Sequence, residues 1–292
     1  MTSCFRAYGR WATVLLLAAL PMQIRSRDLY SQYPWLRFGY PDQRDFASIQ
    51  DRFLPPPGYA RITVKAGSYA DWLRHLPLLP GRPAVHLYNN QLKNRQDVHA
   101  AVVAIDTGQR DLQQCADAIL RLQAEYHFSR KQYSSIAFRY TSGFRADFDH
   151  WRAGYRPHIQ GNQVHWTKHG PADSSWPGFR RYMNNIFGYA GSYSLARDSR
   201  PRPLRQIQIG DFFIQGGFPG HAVLVVDLAV HKSSGQKQFL LLQSYMPAQE
   251  MHVLKNPAHP ESEWYDLPTT SLVTPEWQFA ARSLRYLSNG SN

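Results

Sequence analysis

The stretch IGDFFIQGGFPGHAVLVVDLAVHKSSGQKQFLLLQSY, from Ile209 to Tyr245, constrains this chain more than any other. Two short apolar runs, Ala222–Val226 and Phe239–Leu242, flank the polar segment Lys232–Lys237 with its Ser-Ser-Gly. That pattern predicts two buried antiparallel strands joined by a hairpin, too apolar for a surface ribbon. His221 opens the first strand directly after Pro219-Gly220, and Gln243 and Ser244 close the second. Polar groups at the mouths of buried strands need either a partner or a chemical role.

A chain of 292 residues can bury a full core as one domain, and its aromatic content argues against disorder. Lys and Arg number 33 against 21 Asp and Glu, a net charge of +12 with no basic block. Such a field favours anionic surroundings, yet no nucleic-acid motif or zinc-finger spacing is present, and no nucleic-acid partner is expected. The first 27 residues read as a secretory signal or an N-terminal anchor. Arg6 and Arg10 precede the apolar run Trp11–Leu20, which Pro21 ends. That run is short for a membrane span, so a membrane is expected as a partner only if the segment is retained. Export to the periplasm or cell envelope is the expectation, and with the leader removed Cys115 becomes the only cysteine.

Residues 28–292 are expected to form a single domain. Tyr59–Val64 alternates as a strand, and Ser68 is placed to cap a short helix through Trp72 and Leu73. Val85–Tyr88 and Ala100–Ile105 read as strands paired with each other. Asp111–Phe128 is the clearest helix, with Asp111 as cap and Gln114 three residues on, an apolar stripe of Leu112, Cys115, Ile119, Leu122 and Tyr126, and Arg121 and Glu125 on the polar side. Ile136–Tyr140 reads as a further strand, Gly154 to Gly161 as loops, Phe179–Ala190 as a helix, and Pro247–Asn292 as mostly loop anchored by Trp264 and Trp277.

Cys115 in the first turn of its helix faces unpaired amides and the positive end of the dipole, which lowers a thiol's pKa. A strand-start imidazole, His221, could take its proton, and a polar residue on the next strand could orient that ring. Gln243 is the candidate, with Ser244 and Asp227 as competitors. Gln113 or Gln114, or the Cys115 amide, could donate to an oxyanion. The bland readings stand beside these: a core cysteine on an apolar stripe, a histidine satisfied by a carbonyl, and a glutamine that ties down a loop. His221, Asp227 and His231 lack any standard metal spacing, and no helix start follows Gly216-Gly217 or Pro219-Gly220 to make a phosphate cradle, so neither metal nor cofactor is expected.

Helix-start Cys, strand-start His and a polar residue on the next strand resemble the papain-like layout of cell-wall amidases and peptidases, in which a Gly-Asp pair opens a strand shortly before a Gly-His strand. Gly210-Asp211 and Gly220-His221 fill those places. Separately, SYADWLRHLPLLP (Ser68–Pro80), DLQQCADAILRLQAEY (Asp111–Tyr126), GDFFIQGGFPGHAVLVVD (Gly210–Asp227) and LQSYMPAQ (Leu242–Gln249), with Phe138–Gly154 and Trp264-Tyr265, resemble a bacterial family catalogued as domain of unknown function 4846. That resemblance implies an exported or lipid-anchored protein and no particular activity.

The expected fold is therefore α+β, a central antiparallel sheet packed on the Cys115 helix in a papain-like manner. The expected function is a thiol amidase or peptidase of the envelope, acting on peptidoglycan peptides or another envelope polymer. The alternative is a non-catalytic protein binding a glycan or peptide through aromatics and amides such as Tyr88-Asn89-Asn90 and Tyr182-Met183-Asn184-Asn185.

Overall fold

The long apolar strands dictate the architecture seen in the computed structural model, which describes residues 26–288 apart from residue 44. His221–His231 and Lys237–Gln243 form the hairpin at the centre of an antiparallel sheet. The path runs His99–Val102, His252–Leu254, Lys237–Gln243, His221–His231, Phe212–Gln215, Leu284–Tyr286 and Arg200–Pro201. Two further short strands join it. Tyr59–Arg61 pairs with the far end of the His221 strand and Tyr265–Asp266 with the start of the Lys237 strand, at Gln238 and Phe239. Every residue from His221 to Ala229 is buried, as a strand covered on both faces requires. The helix Cys115–Ser129 packs on this strand, so the α+β reading with a large antiparallel sheet holds.

The register shifts between Val225 and Asp227, leaving Val226 bulged. Beyond the bulge Asp227, fully buried, receives Arg61 Nε at 2.6 Å and Arg74 Nε at 2.7 Å. Arg61 also donates to the carbonyls of Gln50 and Phe53, and Arg74 to that of Ile62, so one carboxylate ties three segments to the sheet.

Several expectations are corrected. The Cys115 helix begins four residues later than Asp111, with Gln114 as its cap; the Asp117 carboxylate accepts from the Gln114 amide at 3.1 Å. Asp111 instead accepts from the Ala248 amide at 2.7 Å, holding the 246–248 turn over the helix start. Arg121 and Glu125 are not on a solvated face: both are fully buried, because the helix Trp176–Tyr189 covers that side. Arg121 is held there by Asp106 and by Gln113 Oε1 at 2.6 Å. Val85–Tyr88 pairs with neither Ala100 nor its neighbours; His99–Val102 pairs with His252–Leu254 instead. Tyr155–Gln160 and Gln163–Lys168 form a hairpin where loops were expected, closed at Gly161 with φ 58°. Ser68 does cap the helix Tyr69–Arg74. The stretch read as a leader or anchor lies outside the described residues up to residue 25, and among those described no helix is long and apolar enough to cross a membrane.

Candidate thiol–imidazole site

Three elements converge where the sheet meets the helix start. Cys115 is the first residue of its helix and His221 the first of its strand, and both line one cleft of about 450 Å³. The backbone amides of Ala222, next in chain to His221, and of Ala116 and Cys115 at the helix start favour the Cys115 thiolate. Cys115 is half-buried and opens on the cleft, so it is not an enclosed core thiol. Its sulfur makes no hydrogen bond to the His221 ring.

Gln243 decides the state of His221. Its Nε2 lies 2.7 Å from Glu276 Oε2 and 3.2 Å from His252 Nε2. His252 Nδ1 sits 2.8 Å from the Glu250 carbonyl oxygen, which can only accept, so His252 carries its proton there and offers Nε2 as an acceptor. Both amide hydrogens of Gln243 are thereby used, and its Oε1, 3.0 Å from His221 Nε2, must accept. His221 is then the Nε2–H tautomer with a free lone pair on Nδ1, the form a general base needs. Glu276 is in turn held by Lys93 Nζ at 2.5 Å, and Lys93 sits over the Tyr245 ring, which packs edge-on against His221 at 4.5 Å.

Electrostatics correct one expectation. Burial, with the Asp117 charge second, pushes the Cys115 thiol up to about 11, outweighing the amides that favour the thiolate. Burial likewise pushes His221 down to about 4 against the raising effect of Gln243, and His252 down to about 3. The resting pair is a neutral thiol beside a neutral imidazole.

Histidines held neutral by burial lose their contribution to stability once the unfolded chain takes up protons, that is, as pH falls below about 6.5 toward the folded values. The stability gap between wild type and His252→Gln, from urea denaturation, is therefore expected to shrink by up to about 1.4 kcal/mol per pH unit between pH 6.5 and 4.5. A gap that does not change with pH would contradict the buried-neutral assignment.

Of the other candidates, Gln114 lines the cleft, its Nε2 3.1 Å from Asp111 Oδ1. Gln113 does not: it is fully buried and committed to Arg121. Ser244 is buried, its hydroxyl 2.8 Å from the Gln249 carbonyl oxygen and 3.2 Å from that of Gln113. Asp211 pairs with Arg202 at 2.8 Å and accepts from the Gln208 amide, closing the turn before its strand. Asp227 sits past the bulge, in the middle of the His221 strand and paired to Arg61. Tyr182 and Met183 are fully buried and offer no binding surface. Among the described residues no group of three or more His, Cys, Asp or Glu could hold a metal.

Gly220 keeps His221 in place by close approach. A Cβ there would lie 2.9 Å from the Gln215 carbonyl oxygen and overlap Ser192 Oγ and the Gly217 carbonyl. Gly220→Ala is expected to destabilise the protein by about 1–3 kcal/mol, read from thermal melting, because two of those obstacles are backbone.

The family described as domain of unknown function (4846) matches residues 49–286. The chain belongs to that family. Its match takes in the Cys115 helix, the whole central hairpin and Glu276. No curated protein and no solved structure matches the chain.

Proposed function

We propose that this family member is a thiol hydrolase acting on amide bonds, with Cys115 as nucleophile, His221 as general base and Gln243 as the residue that orients the imidazole. The observation that carries the reading is the Gln243 network, which leaves His221 Nδ1 unprotonated in the cleft that Cys115 lines. In the reaction the Cys115 proton passes to Nδ1 as sulfur attacks the carbonyl carbon. The amide C–N bond breaks, the leaving amine takes that proton from His221, and a thioester remains. Water, deprotonated by His221, then releases the acid and regenerates the thiol. The Ala222, Ala116 and Cys115 amides, with the helix dipole, favour negative charge as it develops on sulfur.

The arrangement of the three residues in chain order is papain-like, and the leader and basic charge favour export and work on an envelope polymer such as a peptidoglycan peptide. The raised resting pKa of Cys115 favours a second reading, a cleft that only binds a glycan or peptide. Incubation with peptidoglycan stem peptides followed by mass spectrometry separates them: a hydrolase releases new amine and acid termini, and Cys115→Ala does not. Intact peptides after exposure to wild type, with binding retained, would establish the second reading.

A further inference from the structure

The cleft has a charge anomaly. In a chain with 33 basic and 21 acidic residues, its lining carries two carboxyl groups, Asp111 and Asp117, and no lysine or arginine among the described residues that form it. Lys93, close behind Tyr245, is neutralised by Glu276. Arg110 and Arg181 line a separate groove.

Asp117 is the more telling of the two. It is 4% exposed, and only one of its oxygens has a partner: Oδ2 accepts from the Gln114 amide, while Oδ1 is buried with none. Capping the helix therefore accounts for half of this carboxyl group. An unpartnered buried carboxylate oxygen costs folding free energy, so a group that persists this way is a candidate for completion by a ligand. Around it the cleft presents aromatic faces, Tyr245 and Trp277 within and Tyr193 and Phe218 at the rim, the last 93% exposed. A carboxylate among aromatic faces suits an organic ammonium ion, through a charge-assisted hydrogen bond and cation–π attraction.

We infer that Asp117 is a specificity residue that recognises a cationic amine on the substrate, close to the carbonyl that Cys115 attacks. This deepens the hydrolase reading and rests on it for the meaning of the scissile carbonyl. The substrate class is an aminoacyl or peptidyl amide with a free amino group. Such a substrate also changes the site it enters. Burial holds the Asp117 carboxyl well above the usual carboxylate range, and an ammonium group beside it favours the ionised form.

The test is a binding measurement that needs no chemistry. Full-length Cys115→Ala protein is titrated by NMR with L-alaninamide and with N-acetyl-L-alaninamide, identical but for the charge. The free amine is expected to bind about tenfold tighter or more, the value of a single charge-assisted contact. Adding Asp117→Asn, which keeps an acceptor for the Gln114 amide, should erase the difference. Equal affinity for the two probes, no binding of the amine at millimolar concentration, or a preference that survives Asp117→Asn would each overturn the inference. If Asp117→Asn fails to fold, the comparison of the two probes on Cys115→Ala decides alone. Failure here leaves the thiol chemistry standing, because alkylation of Cys115 reads that separately.

Discussion

Cys115→Ala and His221→Ala are each expected to lower kcat/KM for amide hydrolysis by about a thousandfold or more, measured on a panel of aminoacyl and peptidyl coumarin amides. The two losses should be similar, and the double variant should lose no more than either, because nucleophile and base act as a unit. The resting pKa values make His221 indispensable. With the thiol pushed up to about 11, almost no thiolate exists at neutral pH, so attack requires the base in the same step. Gln243→Ala should cost less, about a hundredfold, and should fall mainly on kcat. The ring remains but loses the Oε1 acceptor that fixes its tautomer, while the Glu276 carboxylate loses a donor. A Gln243→Ala variant with unchanged kcat would place Gln243 outside the mechanism.

The largest stability effect is expected far from that site. Asp227→Ala should lower the free energy of unfolding by about 3–5 kcal/mol in urea denaturation, enough to unfold a marginal domain. The reason is the state of what remains. Arg61 and Arg74 stay where their other bonds hold them, to the carbonyls of Gln50, Phe53 and Ile62, with no carboxylate between them. The Arg74 side chain is only 6% exposed and one of its nitrogens has no partner even in the intact protein. Two desolvated guanidinium groups without a counter-ion cost more than the pair contributed when formed. A loss below about 1 kcal/mol, the range of surface pairs, would mean that the arginines relax to solvent.

The sequence made the central hairpin legible because two apolar runs flank a polar Ser-Ser-Gly linker, and the antiparallel pairing found agrees with that reading. It also placed Cys115 in a first helical turn and His221 at a strand start, since both follow from local punctuation. The helix start itself was misplaced by four residues: Asp111 and Gln114 are both acceptable caps, and only the tertiary contact of Asp111 with Ala248 decides between them. Arg121 and Glu125 looked solvated because charges four apart on a helix usually are. Nothing local announced that the Trp176–Tyr189 helix would bury them. Glu276 stood 33 residues beyond Gln243 in a proline-rich tail, with no spacing rule to connect the two. Asp117 has a local signal, an acidic residue three places after the cap.

The most direct test of the thiol–imidazole assignment is the rate at which a peptidyl chloromethyl ketone modifies Cys115 in the folded protein at pH 7, with the site of modification mapped by mass spectrometry. The account predicts a single adduct on Cys115, formed before unfolding, at a rate that drops at least about tenfold in His221→Ala because the neutral thiol needs that base. Modification only after denaturation, or at the same rate with and without His221, would leave Cys115 an inert thiol at the edge of a binding cleft.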